Sequence, residues 1–292
     1  MARVAVVGLG LIGGSAALAF RAAGHQVIGY ARRPETRQRA LQVGAVDSAP
    51  ETLAEAVQAD VVLLAPPVLA FRSLLRAVAP HLPEGAVVTD AASTKADVER
   101  WALATLPPQV RWVGGHPMAG KETAGLDHAD SALFCDRPWC IVPPPNADRD
   151  AVRLVTDVAA GTGARTLEID AAAHDRAVAA VSHLPFTVSA ALAATVIDAD
   201  AFGDVSAVAG SGLRDMTRLA SGDPTMHRDI VLTNRDNLIA ALEHYLGSIQ
   251  DALALLRRLP KPDDAEGDAA VAELGAYFTR LKAARDTWLD RR

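Results

Sequence analysis

The sequence predicts an α/β fold in which a doubly wound parallel sheet is followed by an all-α domain. Two observations support the first part: short apolar runs alternate with helical stretches, and the first apolar run leads directly into closely spaced glycines. A third supports the second part, because strand signals vanish after Asp170. We therefore place one domain at 1–170 and a second at 171–292.

The predicted strands are short apolar runs that end at glycine, proline or polar residues, as buried parallel strands do. They span 3–7, 26–30, 60–65, 86–90, 111–113, 138–142 and 165–169. The helices predicted between them span 15–23, 37–43, 71–79, 96–105 and 150–160. Beyond them, apolar residues recur at helical spacing over 171–197, 223–259 and 270–289.

Composition excludes several classes of protein. The 29 basic and 35 acidic residues leave a net charge of −6, which argues against a nucleic-acid binder. Cys135 and Cys140 have no matching His or Cys cluster, so we expect reduced thiols, no metal site and a cytoplasmic protein. His183 and Pro185 interrupt the longest apolar stretch, so we expect no membrane partner, and a strand instead of a signal peptide begins at Arg3.

The glycines Gly8, Gly10 and Gly13 follow a strand and open a helix. In that context the pattern predicts a Rossmann domain that binds a dinucleotide. The first glycine permits the tight turn, the second lets the backbone approach a pyrophosphate, and the third lets the helix pack on the sheet. Leu11 and Ile12, between them, contribute amides at the helix start to the predicted cofactor site.

The end of the second predicted strand selects between NAD and NADP. An acidic residue there binds the ribose 2′-hydroxyl of NAD. Here the position is Ala31, followed by Arg32 and Arg33. Guanidinium groups can bind a 2′-phosphate, so we favour NADP over NAD. The alternative is that both arginines are a solvated surface pair.

The stretch "GGHPMAGKE" predicts a turn after a strand and puts His116 on that turn among small residues. Histidine exchanges protons near neutral pH, and we expect the glycines to make room for a ligand. Ser93, in "TDAASTK", follows the preceding strand. It could hydrogen-bond His116 or a substrate hydroxyl, cap the helix at 96–105, or do both.

Five segments in this order resemble the prephenate and arogenate dehydrogenase family of tyrosine biosynthesis, over residues 3 to about 240. They are "VVGLGLIGGS", "TDAASTK", "GGHPMAGKE", "SHLPF" and "GSGLRDMTRLASGDPTMHRDI". The resemblance implies oxidative decarboxylation of a small cyclohexadienol by NAD or NADP. It also implies a helical dimerisation domain, and hence a homodimer.

The resemblance assigns site roles residue by residue. His116 corresponds to the catalytic histidine, Ser93 to its serine partner and Glu122 to an acidic residue at the pocket entrance. His183 matches the first histidine of the usual "SHLPH"; the alternative is a packed core histidine. Phe186 replaces the second histidine, which removes one polar contact and bears on substrate preference.

By the same resemblance Arg218 binds the substrate carboxylate, with Asp215 near it. The two are three apart, so on one helix they share a face, and Asp215 could orient Arg218. A structural ion pair is the alternative. Prephenate is the first substrate assignment and arogenate the second. Remoter alternatives are a β-hydroxyacid or imine-reducing dehydrogenase and a non-catalytic NADP-sensing protein.

Overall fold

The computed structural model of the protein describes residues 1–121, 123–198, 203, 205–264 and 268–291. They form two compact units, Met1–Leu238 and Ile239–Arg292. Residues 171–238 lie in the same unit as the sheet, so a domain boundary at residue 170 stays a prediction.

A five-stranded parallel sheet forms the centre of the first unit, in the order β2-β1-β3-β4-β5. Its strands are β1 Arg3–Val7, β2 Gln26–Tyr30, β3 Val61–Leu64, β4 Val87–Asp90 and β5 Arg111–Trp112. The order reverses between β1 and β3, which is where a doubly wound sheet opens a crevice at its carboxyl edge. The predicted doubly wound parallel sheet is confirmed.

A second, three-stranded sheet in the order β6-β7-β8 follows the first. Its strands are β6 Gly114–Pro117, β7 Pro138–Val142 and β8 Arg165–Glu168. β6 runs antiparallel to β7 and pairs His116 with Cys140. The sequence placed His116 on a turn after a strand; it lies instead within β6, which begins one residue after a short break at Val113.

Helices cover both faces of the larger sheet, as predicted. They are α1 Leu11–Ala22, α2 Pro34–Gln42, α3 Leu53–Ala56, α4 Phe71–Val78, α5 Ala96–Thr105 and α6 Arg149–Ala160. α1 starts four residues before its predicted start, because Gly10 is its N-cap and the third glycine of the motif already belongs to the helix. α2 starts three residues early, with Pro34 in its first turn.

Alternate residues of each strand enter two separate apolar cores. Val4 and Val6 pack in a core that also contains Phe20, Phe134 and Trp139. Ala5 and Val7 face the opposite core, which contains Phe71, Leu75 and Trp112. Side chains that alternate between two buried faces explain why these strands are apolar throughout. Trp139 fixes β7, and through it β6, against the first of these cores.

After β8 the described chain is helical, as predicted. Its helices are α7 Ala171–Val178, α8 Leu184–Ala193, α9 Ser211–Thr217, α10 Pro224–Thr233, α11 Arg235–Arg257 and α12 Ala269–Asp290. A π-helical turn, Ala179–His183, joins α7 to α8 without a break.

By length and composition alone, the helical run Ala171–Asp198 could cross a membrane. However, His174, Asp175 and His183 on this run are buried and hydrogen-bonded to other parts of the first unit. These contacts tie the first half of the run to the first unit, although only 17% of its most apolar window is buried.

Candidate active site

The glycine turn has the geometry that a dinucleotide pyrophosphate requires. Gly8 has φ +108°, and a Cβ there would lie 2.6 Å from the carbonyl oxygen of Ala65. A Cβ on Gly13 would lie 1.8 Å from the carbonyl oxygen of Gly8. A Cβ on Gly10 would instead enter open space, and among the described residues no side chain caps α1. The amides of Leu11 and Ile12 therefore begin a helix whose N-terminus can receive phosphate.

The end of β2 carries two exposed guanidinium groups. Arg32 and Arg33 are both exposed at the turn into α2, and Arg33 is the N-cap of that helix. The turn is held by Arg37, whose Nη1 donates to the carbonyl oxygen of Ala31 at 2.8 Å. No carboxylate follows β2 at this position, so the turn into α2 presents two guanidinium groups there.

His116 sits on β6 beside the carboxyl end of β4. The amide of Gly115 donates to Oδ1 of Asp90, the last residue of β4, at 2.8 Å. Since β1 and β4 are parallel, this is also the sheet edge at which the glycine turn lies. His116 is 9 % exposed, and burial holds its pKa well below the usual range, with the nearby His174, Lys95 and His183 acting in the same direction. A neutral imidazole is therefore available as a base at neutral pH.

The expectation that the glycines before His116 make room for a ligand is wrong. A Cβ on Gly115 would lie 2.6 Å from the carbonyl oxygen of Asp90, and one on Gly114 would lie 2.9 Å from that of Val142. Both glycines therefore let β6 pack against its neighbouring backbone. Gly120 has open space where a Cβ would be.

His116 belongs to a chain of buried polar side chains that the sequence did not predict. Its Nδ1 lies 2.9 Å from Nε2 of His174, and Nδ1 of His174 lies 2.8 Å from Oδ1 of Asp175. His174 and Asp175 are each 1 % exposed. His116 is the most exposed member, so it is the end of the chain that a substrate could reach.

Asp175 also caps α5, which overturns one reading of Ser93. The amides of Lys95 and Ala96 donate to the two carboxylate oxygens of Asp175 at 2.8 and 2.9 Å. The N-cap of α5 is Lys95, so Ser93 does not cap this helix. Ser93 is half-buried at a bend between β4 and α5. The structure gives Nδ1 of His116 to His174, so a bond between Ser93 and His116 stays a prediction.

A buried ion pair supports the same segment. Nζ of Lys95 donates to Oδ2 of Asp90 and, at 2.5 Å, to the carbonyl oxygen of Gly115. Lys95 is 1 % and Asp90 0 % exposed. Burial lowers the pKa of Lys95, although Asp90 opposes that shift. The pair joins the end of β4 to the strand that carries His116.

His183 lies inside the helical part of the first unit. Its Nδ1 is 3.1 Å from Nδ2 of Asn234, which also donates to the carbonyl oxygen of Asp175 at 2.7 Å. Because an amide nitrogen only donates, Nδ1 of His183 accepts and its proton is on Nε2. Burial lowers the pKa of His183 to about 4. Phe186 stacks on His227, with ring centroids 4.1 Å apart.

Of the remaining predicted residues, two lie on the protein surface and one lies outside the described part of the chain. Arg218 is the C-cap residue of α9, has helical backbone angles and begins the short helical turn Arg218–Ser221. Asp215 lies 3.6 Å from Arg214. That Asp215 orients Arg218 therefore stays a prediction. Glu122 lies outside the described residues.

The turn with Arg218 packs on α8. The amide of Ala220 donates to Oγ of Ser189 on α8 at 3.1 Å, and α8 carries Phe186. His183 immediately precedes α8. The structure thus brings His183, Phe186 and the Arg218 turn to one helix.

Sequence reasoning missed Asp90, Lys95, His174, Asp175 and Asn234. Two of them, His174 and Asp175, form a His-Asp pair a few residues before "SHLPF", in a stretch that is otherwise mostly alanine and valine. These two polar side chains among apolar residues were the sequence feature from which a buried polar pair could have been predicted. In the part of the chain that the structure describes, no group of three or more His, Cys, Asp or Glu is placed to hold a metal, and both cysteines are free thiols.

The Rossmann sheet, the glycine turn and a buried neutral histidine at the same sheet edge define a dinucleotide-dependent oxidoreductase. Two family models match: the nucleotide-binding domain of prephenate dehydrogenase at residues 16–168, and its dimerization domain at residues 170–269. The chain therefore belongs to the prephenate dehydrogenase family. The fold and the family predicted from the motifs are confirmed.

Relatives of both named activities are similar to this chain. A prephenate dehydrogenase of Bacillus subtilis is 32% identical over 97% of this chain and 75% of its own length. The crystal structure of an arogenate dehydrogenase of Synechocystis has a TM-score of 0.82 at 31% identity, covering 98% of this chain and 99% of that one. A prephenate dehydrogenase of A. aeolicus, in complex with hydroxyphenyl propionate and NAD+, has a TM-score of 0.84 at 30% identity, with 98% of both chains covered.

Proposed function

We propose that the protein catalyses the oxidative decarboxylation of prephenate to 4-hydroxyphenylpyruvate, with His116 as the general base. The observation that carries the proposal is the buried, neutral imidazole of His116 at the carboxyl edge of a dinucleotide-binding sheet. Family membership supports the reaction class. Arogenate is the second candidate substrate, because the Synechocystis arogenate dehydrogenase resembles this chain as closely as the prephenate enzymes do.

The residues divide the work as follows. His116 takes the proton from the hydroxyl on the substrate ring, so the carbon that bears it becomes a carbonyl carbon as its hydrogen leaves with two electrons. The bound nicotinamide supplies the acceptor for that hydride. Loss of carbon dioxide from the opposite ring carbon then restores aromaticity. Because the base is buried, it starts neutral and needs no prior loss of a proton.

The substrate is anionic, so the site needs a cation away from the reacting carbon. We assign this role to Arg218, whose turn packs on α8 near His183 and Phe186. A guanidinium can hold a carboxylate through two parallel hydrogen bonds. We assign Ser93, which follows β4, as the hydrogen-bond donor to the substrate hydroxyl. We assign His183, through its Nε2–H, as the donor to the region of the substrate carboxylate. Asp215 and Glu122 keep their predicted roles beside Arg218 and at the pocket entrance.

For the cofactor we propose NADP in preference to NAD, while the family supports NAD(P) use in general. The support is the exposed pair Arg32 and Arg33 after β2, where no carboxylate is present. The variant Arg32→Ala/Arg33→Ala should raise the KM for NADP by about 10-fold or more, since each charge-assisted hydrogen bond contributes about 1.5–3 kcal/mol. The KM for NAD should change little. Equal loss for both cofactors would contradict the NADP assignment.

We also propose a cytoplasmic homodimer built through the helical segments. The match to a dimerization domain supports this assembly. In α11, Leu246, Ile249, Leu253 and Leu256 follow helical spacing on one face and are 42–54 % exposed. Analytical ultracentrifugation of the full chain tests the dimer directly.

The central experiment is a steady-state assay of prephenate and arogenate, each with NADP and NAD. Prephenate with NADP should give the highest kcat/KM. His116→Asn should then reduce kcat by about 10²–10⁴-fold, the usual contribution of a general base, while nucleotide binding, followed by NADPH fluorescence, persists. Unchanged turnover in that variant would end the assignment of His116. Nucleotide binding without turnover of either substrate by the unmodified protein would favour the NADP-sensing alternative.

A further inference from the structure

We propose that His174 and Asp175 are positioning residues that fix which nitrogen of His116 carries its proton. In this arrangement Nδ1 of His116 holds the hydrogen and Nε2 presents the lone pair that accepts the substrate proton. The inference rests on the proposed function for its kinetic consequence. The proton placement itself can be tested without turnover.

The direction of the chain is set at Asp175. Its carboxylate accepts hydrogen bonds from two backbone amides, Lys95 N at 2.8 Å and Ala96 N at 2.9 Å. Both carboxylate oxygens are acceptors in these bonds, and the proposal keeps them as acceptors toward His174 as well. Its contact with Nδ1 of His174 at 2.8 Å therefore uses a hydrogen from His174.

The ring of His174 in turn sets the proton position on His116. In the proposed arrangement His174 is a neutral imidazole, whose one N–H is used at Nδ1 and whose Nε2 is therefore an acceptor. Nδ1 of His116 lies 2.9 Å away and must donate. This leaves the lone pair of His116 on Nε2, on the residue that is the least buried member of the chain.

The surroundings of His116 support a neutral ring in this orientation. Lys95 approaches from the segment before α5, His174 from α7, and His183 from the π-helical turn. Asp90 neutralises Lys95, and Asp175 lies behind His174. No anion among these described groups touches His116 directly, so the nearest carboxylate acts through the ring of His174.

Only one proton moves when the chain operates. The substrate O–H bond breaks and a bond from that hydrogen to Nε2 of His116 forms. The positive charge on His116 is then stabilised by its Nδ1–H bond to His174, which Asp175 polarises. Holding the correct tautomer has a large effect in other enzymes, because a base with its proton on the wrong nitrogen cannot accept one.

Two substitutions at His174 separate positioning from packing. In His174→Asn the amide can keep the bond to Asp175 but cannot reach His116. In His174→Gln the longer side chain places a carbonyl oxygen where Nε2 was, so it can accept from Nδ1 of His116. We expect kcat to fall by about 10²-fold in His174→Asn and to recover to within about 10-fold of the unmodified protein in His174→Gln. The KM values and NADPH binding should change little in both, as in the exposed control His128→Asn.

The direct readout is long-range ¹H–¹⁵N NMR of ¹⁵N-histidine-labelled protein with NADP bound, with His116→Gln used for assignment. At pH 8 we expect Nδ1 of His116 to be protonated and Nε2 to be free of hydrogen. A proton on Nε2, or full kcat in a folded His174→Asn, would overturn the inference. If that variant does not fold, the spectrum of the unmodified protein decides alone. If neither substrate turns over, the proposed function fails, while the spectrum still confirms or refutes the tautomer.

Discussion

Acid should destabilise this protein through His183, and the size of the effect follows from its burial. His183 is 1 % exposed, and its pKa falls from 6.5 to about 4 in the fold. The folded state therefore binds the proton more weakly than the unfolded chain. The stability that neutral His183 contributes is complete above pH 6.5 and is lost as the pH falls toward 4. At 1.36 kcal/mol per pH unit, the loss attributable to this residue is about 3 kcal/mol.

The assay is urea unfolding followed by circular dichroism at pH 7 and at pH 4.5. His183→Asn is the variant of choice, because its amide oxygen can still accept from Nδ2 of Asn234 while the titrating group is gone. The variant can be less stable at both pH values, so the quantity of interest is the difference between them. That difference should be about 2–3 kcal/mol smaller than in the unmodified protein, and unaltered in the exposed control His244→Gln. If His183→Asn loses as much stability between pH 7 and 4.5 as the unmodified protein, the reasoning is refuted.

Two further predictions use matched variants. Gly13→Ala should lower the melting temperature by several degrees, because its Cβ would meet the carbonyl oxygen of Gly8. Gly10→Ala should keep the normal melting temperature but bind NADPH at least 10-fold more weakly. Equal melting temperatures in the two variants would contradict this account of the turn. Asp90→Asn leaves the Lys95 ammonium buried without its counter-ion and should cost about 3–5 kcal/mol in urea unfolding at pH 7. Adding Lys95→Met should recover part of that cost, and a double variant no more stable than Asp90→Asn would show that the pair is not coupled.

The Rossmann half was predictable because its signals are local. Strands such as Arg3–Val7 and Gln26–Tyr30 are apolar runs bounded by breakers, and their predicted limits match the structure. The exception is β6, which was predicted as a turn because Gly114 and Gly115 are poor strand formers in isolation. These two glycines allow β6 to lie close to the backbone of Asp90 and Val142. A contact between distant segments of this kind leaves no local pattern in the sequence.

Only the parts of the candidate site that lie in sequence motifs could be predicted. His116 and Gly8 stand in recognisable segments, whereas His174 meets His116 across 58 residues and Asp175 meets Lys95 across 80. Such contacts depend on how α7 packs against α5 and β7, which periodicity does not encode. The same limitation explains why Ser93 looked like a cap for α5: capping preference is local, while the carboxylate that binds those amides comes from a distant helix.

The ring of His174 separates His116 from the carboxylate of Asp175. This separation suits a base better than direct contact between His116 and a carboxylate would. An aspartate bonded to His116 would favour the imidazolium and raise the pKa of the ring, leaving less of the neutral form near neutral pH. Instead, burial lowers that pKa, and the two nearby carboxylates are occupied elsewhere: Asp90 binds Lys95 and Gly115, and Asp175 binds the start of α5. The intervening ring of His174 can still orient His116 by hydrogen bonding, while the full negative charge stays one imidazole away.

The variant His174→Asp would bring an anion toward His116. It should therefore raise the pKa of His116 and move the acid limb of the pH profile of kcat/KM to higher pH. An unmoved limb in a folded, active variant would show that His174 does not stand between His116 and the charge.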